Sequence, residues 1–176
     1  QACRVVTQDV TFVIFGATGS LARTKLLPSL ARAVLDVGIT RHCVIGVGTR
    51  PRSSEEFREI VRTSIEAAGI EHGCVERFLD GTIAYQAVGT PGSDGALGDL
   101  VHSVESDTGL TGNRVLYLAV PPSKLDTTVD GIAESGLDTS TGWTRLVVEK
   151  PFGADLATAE KSNRTIQRVF SEDDVY

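Results

Sequence analysis

Strand-like and helix-like segments alternate along the chain, and this alternation constrains the fold more than any other feature. Residues 10–15 (VTFVIF) form a short apolar run of β-branched and aromatic residues, typical of a strand buried on both faces. Four further strands are predicted at residues 43–47, 80–88, 114–120 and 143–148. Parallel strands need crossover connections of about 12 residues or more, and the intervening segments are long enough to supply them. The pattern therefore predicts an α/β fold with a doubly wound, mostly parallel sheet and helices on both faces.

The predicted helices lie between the strands. Apolar residues recur at helical spacing after the first strand, up to Gly38, and Ser53 or Ser54 is predicted to cap the next helix. Further helices are predicted at residues 96–106, from Ser123 onwards and at 156–170. A length of 176 residues suits one well-buried domain. Residues 1–176 are therefore predicted to form a single dinucleotide-binding domain of the Rossmann type.

Charge and hydropathy argue against two classes of partner. The chain has 17 basic and 23 acidic residues, and this net charge of -6 disfavours binding to nucleic acid or to an anionic membrane. No apolar run approaches the roughly 18 residues needed to span a bilayer, and the first residues lack the layout of a signal peptide. A cytoplasmic protein is expected. The chain contains no methionine and begins with glutamine, so we expect a piece of a longer protein, with a natural short protein as the alternative.

Cysteines and histidines give no sign of a metal site. Three cysteines lie far apart and outside any CxxC spacing, so neither a disulfide framework nor a zinc site is predicted. His42, His72 and His102 have no spacing typical of a metal site or a catalytic pair.

A glycine-containing turn follows the first predicted strand. It reads Gly16-Ala17-Thr18-Gly19-Ser20-Leu21 and leads directly into a predicted helix. A glycine at the first position can adopt a backbone conformation closed to other residues, and Gly19 lets the helix start approach a pyrophosphate. Thr18 and Ser20 can donate hydroxyl hydrogen bonds to phosphate oxygens. The turn predicts a dinucleotide site, and a tight turn with nothing bound is the alternative.

The end of the second predicted strand favours NADP over NAD. An Asp or Glu there usually binds the free ribose hydroxyl of NAD, whereas a 2′-phosphate favours Arg. Residues 46–52 read GVGTRPR, with no acid and with Arg50 and Arg52. A guanidinium offers a planar pair of donors to a phosphate. Two solvated loop arginines are the alternative.

Two lysines are further candidates. Lys25 lies in the first turns of the helix after the glycine turn, where a lone lysine is more often a solvated surface residue than one that contacts a ligand. Lys150 belongs to residues 149–153 (EKPFG), which come directly after a buried strand at the edge of the sheet where ligands bind. A charged strand end followed by a turn is the alternative.

Three segments resemble glucose-6-phosphate dehydrogenase, in the same order and spacing. They read GATGSLARTKLLPSL, YLAVPPS and WTRLVVEKPFG, and the likeness extends from about residue 11 to residue 176. The resemblance implies a diphosphate loop formed by Gly16, Ala17, Thr18, Gly19, Ser20, Leu21, Ala22 and Arg23. The family's usual aspartate is Ser20 here, and its 2′-phosphate arginine lies one place from Arg50.

The resemblance also implies roles outside that loop. Lys25 matches a lysine near the substrate, and Tyr117 lies in the segment lining the nicotinamide. Lys150 matches a lysine that contacts both substrate and coenzyme, and Pro151 matches a hinge between domains. The implied reaction is oxidation of glucose 6-phosphate to 6-phosphogluconolactone with NADP, in the pentose phosphate pathway.

The family's catalytic histidine lies in an RIDHYLGK segment and α+β domain that follow this point. The present chain is thus expected to bind coenzyme without catalysis, and to form homo-oligomers only with that domain. A stand-alone nucleotide-binding or regulatory module is the alternative. A short-chain reductase is disfavoured, because no tyrosine has a lysine four residues later.

Overall fold

The computed structural model describes residues 8–149 and 155–176, and it contains a five-stranded sheet in the order β3-β2-β1-β4-β5. All four strand pairings are parallel, which confirms the predicted doubly wound α/β fold. The strands are β1 (Asp9–Phe15), β2 (Arg41–Gly48), β3 (Thr82–Ala87), β4 (Arg114–Leu118) and β5 (Thr144–Val148).

Helices connect successive strands. The connections contain a π-helical turn (Ala22–Leu26) that leads into α1 (Leu27–Val37), then α2 (Ser54–Ala67), α3 (His72–Leu79), α4 (Ser93–Thr108), a 3-10 turn (Pro122–Lys124) and α5 (Leu125–Ser135). After β5 come α6 (Leu156–Val169) and a final 3-10 turn (Glu172–Asp174). Ser53 caps α2 through a reciprocal pair of bonds with Glu56, which decides between the two predicted caps. Helix α3 is not predicted by the sequence pattern. Among the described residues, no helix is long and apolar enough to cross a membrane.

Two apolar cores lie on opposite faces of the sheet. One contains residues of α1, α2 and α3 packed on Ile14, Val44 and Ile83. The other contains residues of α4, α5 and α6 packed on Val13 and Leu116 among others. Successive strand residues therefore contribute to different cores, as the alternation of side chains along a strand requires.

A buried ion pair fixes α4 to the sheet. Arg114, at the start of β4, donates to both carboxylate oxygens of Glu105 in α4, at 2.9 and 2.8 Å. Arg114 also donates to the carbonyl of Thr139 at 2.8 Å, and its exposed fraction is only 1%. The pair lies at the amino edge of the sheet, and it fixes the helix whose other end reaches the carboxyl edge.

Candidate functional site

A crevice opens at the carboxyl edge of the sheet, where the strand order reverses. The chain passes from β1 to β2 and β3 on one side, and then returns to β4 on the other side of β1. Ligands of doubly wound sheets bind at such a switch point. The crevice has a volume of about 770 Å³, within the usual range for ligand sites. Its lining residues are Gly16, Thr18, Gly19, Gly48, Thr49, Gly89, Thr90, Asp94, Ala119, Val120, Pro121, Lys124, Thr127 and Thr128.

The glycine turn is held between the ends of β2 and β4. The amides of Gly16 and Ala17 both donate to the carbonyl of Val47, at 2.9 and 3.2 Å. Gly16 has a φ of +78°, which favours glycine. A Cβ at this position would also collide with the backbone carbonyl of Ala119. The first glycine of the turn is therefore required by both its own conformation and the close approach of β4.

Two backbone donors of the turn are available to a ligand. The amide of Gly19 donates to the carbonyl of Gly16 at 3.0 Å, and that of Arg23 donates to Gly19 at 3.1 Å. The amides of Thr18 and Ser20 have no acceptor within the described part of the protein. Free amides at the start of a helix, together with the helix dipole, form a site suited to a phosphate.

The remaining residues of the predicted diphosphate loop are spread over three environments. Ala17 and Ala22 are fully buried, so only their backbone can face a ligand. Leu21 is 39% exposed. Ser20 and Arg23 line a second cleft of about 350 Å³, which adjoins the crevice at Thr18.

Lys25 lies in the π-helical turn after the glycine turn, with its side chain exposed. Lys25 is not among the residues that line the crevice.

The loop after β2 has two arginines in different environments. The hydroxyl of Tyr85 donates to the carbonyl of Arg50 at 2.9 Å, while the Arg50 side chain is exposed. Arg52 is half-buried, and its buried Nε has no partner among the described residues. Burial raises the pKa of Tyr85, and the positive charge of Arg52 partly opposes this. The loop thus has a fixed backbone and two guanidinium groups without carboxylate partners among the described residues.

Tyr117 and Glu149 connect the ends of β4 and β5. The Tyr117 hydroxyl donates to Oε1 of Glu149, immediately after β5. Burial raises the pKa of Tyr117, and this bond and the negative charge of Glu149 raise it further, so the phenol stays protonated. Lys150 and Pro151, both singled out by the sequence, lie outside the described residues.

None of the histidines lines the crevice. His42 lies in β2 at the opposite edge, with its Nε2 2.8 Å from the carbonyl of Phe78, and its ring stacks on that of Phe78. His72 begins α3, and the Nδ1 of His102 lies 2.7 Å from the carbonyl of Gly98. Within residues 8–149 and 155–176, no group of three or more His, Cys, Asp or Glu side chains could hold a metal ion.

Several crevice residues carry no signal in the sequence. Asp94 comes from α4, and Lys124, Thr127 and Thr128 come from the connection after β4 and from α5. Their types are common on protein surfaces, and only the packing of α4 beside α5 places them on one wall. A motif search could not have found them.

Comparison with known proteins shows the family to which the chain is similar. Residues 13–176 match the family described as the glucose-6-phosphate dehydrogenase, NAD binding domain. A glucose-6-phosphate 1-dehydrogenase of Bacillus subtilis is 39% identical over 166 residues, which cover 93% of this chain and 34% of the relative. A second, from Aggregatibacter actinomycetemcomitans, is 38% identical over a match that covers 96% of this chain and 35% of the relative.

Solved structures show the same fold. Glucose-6-phosphate dehydrogenase in complex with its substrate glucose 6-phosphate superposes with a TM-score of 0.81 at 28% identity, over 96% of this chain and 36% of that one. The enzyme from Mycobacterium avium gives a TM-score of 0.75, also at 28% identity, over 96% of this chain and 35% of that one. The chain therefore spans about a third of the length of these relatives.

Proposed function

Because the chain belongs to the family of the glucose-6-phosphate dehydrogenase NAD binding domain, we propose that it is the coenzyme-binding part of an NADP-dependent oxidoreductase. The proposed reaction is oxidation of glucose 6-phosphate to 6-phosphogluconolactone, the entry to the pentose phosphate pathway. The observation that carries the proposal is the crevice at the switch point, bordered by a glycine turn with two free amides.

The coenzyme's diphosphate is proposed to lie on the glycine turn. The amides of Thr18 and Ser20 would donate to its oxygens, and the start of the helix would stabilise the negative charge. The adenosine half would then lie towards the ends of β2 and β3, and the nicotinamide half towards the ends of β4 and β5. Bound NADP would supply the hydride acceptor.

Two arginines are proposed to favour NADP. The exposed guanidinium of Arg50 and the half-buried one of Arg52 follow β2, and no acid lies between Gly48 and Arg52 to repel a 2′-phosphate. A hydrogen bond to a charged group contributes about 1.5–3 kcal/mol, which corresponds to roughly 10- to 150-fold in affinity. One such bond is enough to set the coenzyme preference.

The sugar phosphate is proposed to bind beside the nicotinamide. Lys25 and Lys150 are the proposed contacts, since an ammonium group is a compact charge with three donors for phosphate or hydroxyl oxygens. Tyr117 is proposed to contact the coenzyme, with its ring held in place by Glu149. Removal of the sugar hydroxyl proton needs a base within hydrogen-bond reach. Since the histidines lie away from the crevice, we propose that this chain alone forms no NADPH from glucose 6-phosphate.

Calorimetric titration with NADP and NAD tests the coenzyme assignment. We expect the wild-type chain to bind NADP more tightly than NAD. Arg50→Ala or Arg52→Ala should lower the affinity for NADP at least about tenfold and leave the affinity for NAD unchanged. Arg164, an exposed residue of α6 that does not line the crevice, provides the matched control for the lost charge in Arg164→Ala. Tighter binding of NAD, or unchanged NADP affinity in both arginine variants, would contradict the proposal.

A further inference from the structure

Asp94 is the one carboxylate among the described residues that line the crevice. It lies in the first turn of α4, half-buried, and faces α5 at Gly131. A Cβ on Gly131 would lie only 2.9 Å from Oδ1 of Asp94, so the missing side chain leaves room for the carboxylate. The carboxylate is therefore packed into the wall between α4 and α5.

The start of α4 is held firmly. The hydroxyl of Ser93 accepts bonds from the amides of Gly89 and Thr90, at 3.0 and 3.2 Å, and donates to the carbonyl of Thr90 at 2.7 Å. At its other end, α4 is held by the buried ion pair of Glu105 with Arg114. Asp94 thus projects from a backbone fixed at both ends of its helix.

The neighbouring hydroxyls on α5 also present acceptors to the crevice. Thr127 and Thr128 both donate to the carbonyl of Lys124, at 3.0 and 2.7 Å. Each hydroxyl has one hydrogen, so only lone pairs remain for a ligand. Asp94 and these two residues present hydrogen-bond acceptors on a wall that also contains Lys124, and these acceptors suit a ligand group that carries donors.

The donors of the dinucleotide are the amino group of adenine, the carboxamide of nicotinamide and the ribose hydroxyls. Its phosphates repel a carboxylate, and they belong at the glycine turn. The adenosine half lies on the side of β2 and β3, from which α4 begins, and its base carries an amino group with two donor hydrogens. We infer that Asp94 accepts a hydrogen bond from the 6-amino group of adenine, so that the crevice favours a 6-aminopurine over a purine that lacks the amino group. This inference rests on the proposed function, since it requires the crevice to bind an adenine dinucleotide.

A pair of coenzymes that differ only at this group tests the inference. Calorimetry would compare NADP with its purine analogue, in which a hydrogen replaces the amino group. The analogue cannot donate to the carboxylate, so we expect the wild-type chain to bind it at least about tenfold more weakly, equivalent to about 1.4 kcal/mol. Asp94→Ala removes the acceptor, and the preference should fall to near unity. Asp99→Ala, an exposed change on the same helix, should keep the wild-type preference.

Gly131→Ala tests the position of the carboxylate without removing it. The new methyl group would press on Oδ1, the end of a flexible side chain, so the carboxylate should move while the helix remains folded. Alanine also favours the helix by roughly 1 kcal/mol over glycine. We expect a smaller preference for adenine and an undiminished melting temperature.

The outcomes separate the two claims. If the wild-type chain binds neither coenzyme, the proposed function is wrong. If it binds NADP and the analogue equally well, or if Asp94→Ala weakens the binding of both by the same factor, the inference alone is overturned.

Discussion

Substitution of Gly16 by alanine should disrupt both the fold and the crevice. Two costs add at this position. A left-handed backbone costs an L-residue roughly 1–2 kcal/mol, and Gly16 has a φ of +78°. The new methyl group would also meet the carbonyl of Ala119, whose backbone is held by a 2.9 Å bond from its amide to the carbonyl of Phe15. Overpacking of this kind costs about 1–3 kcal/mol more, because the backbone must move.

Gly38→Ala is the matched control for this prediction. Gly38 ends α1 with a φ of +75°, almost the same backbone, but nothing lies within 4 Å of a Cβ built there. Urea unfolding should therefore show a loss of about 1–2 kcal/mol for Gly38→Ala and of about 2–5 kcal/mol for Gly16→Ala. The difference between the variants isolates the collision with β4. NADP affinity should fall only in Gly16→Ala, and equal losses of stability in the two variants would refute the reasoning.

Three further predictions concern charge and protonation. Glu105→Ala leaves a buried arginine unpaired, so it should lower the free energy of unfolding, measured in urea, by about 3–5 kcal/mol. Glu160→Ala breaks an exposed pair and should lower it by less than about 1 kcal/mol. Equal losses in the two variants would contradict this prediction. Burial lowers the pKa of His42 below its usual 6.5, so the unfolded chain binds the proton more readily, and the stability due to the neutral ring is lost as the pH falls below about 6.5. His42→Phe should flatten this dependence between about pH 5 and 7, and an unchanged slope would count against it. In a protein that contains this chain and has the proposed activity, Lys150→Ala should lower kcat/KM at least about a hundredfold, roughly 2.7 kcal/mol, whereas Lys161→Ala should not. Near-normal kinetics of Lys150→Ala would favour the alternative, a charged strand end with no contact to substrate or coenzyme.

Strands and the glycine turn could be predicted because their signals are local. The first strand is a continuous apolar run, and the predicted residues 10–15 lie within the observed Asp9–Phe15. The strand predicted at residues 114–120 ends at Leu118 in the structure. Beyond Leu118, the amide of Ala119 still donates to the carbonyl of Phe15 in β1, and Pro121 follows two residues later. Helix α3 was missed because it has only eight residues, no side chain caps its start, and it contains a glycine.

The composition of the crevice could not be predicted, because it depends on packing between distant segments. The proximity of Asp94 to Gly131 follows from the placement of α4 beside α5, and the bond from Tyr117 to Glu149 follows from the pairing of β4 with β5. The sequence pattern predicts parallel strands but does not specify their order. The role of Gly16 was predicted only in part, since its contact with Ala119 needs the adjacency of β1 and β4.

Coenzyme titration followed by amide chemical shifts is the most direct test of where the dinucleotide binds. With NADP, we expect the largest shifts at the amides of Thr18 and Ser20, with further shifts at Thr90 on the opposite side of the crevice. Thr40, which lines a smaller cavity at the amino edge of the sheet, should stay unshifted. Shifts concentrated at Thr40, with Thr18 and Ser20 unchanged at saturation, would contradict a coenzyme site at the glycine turn.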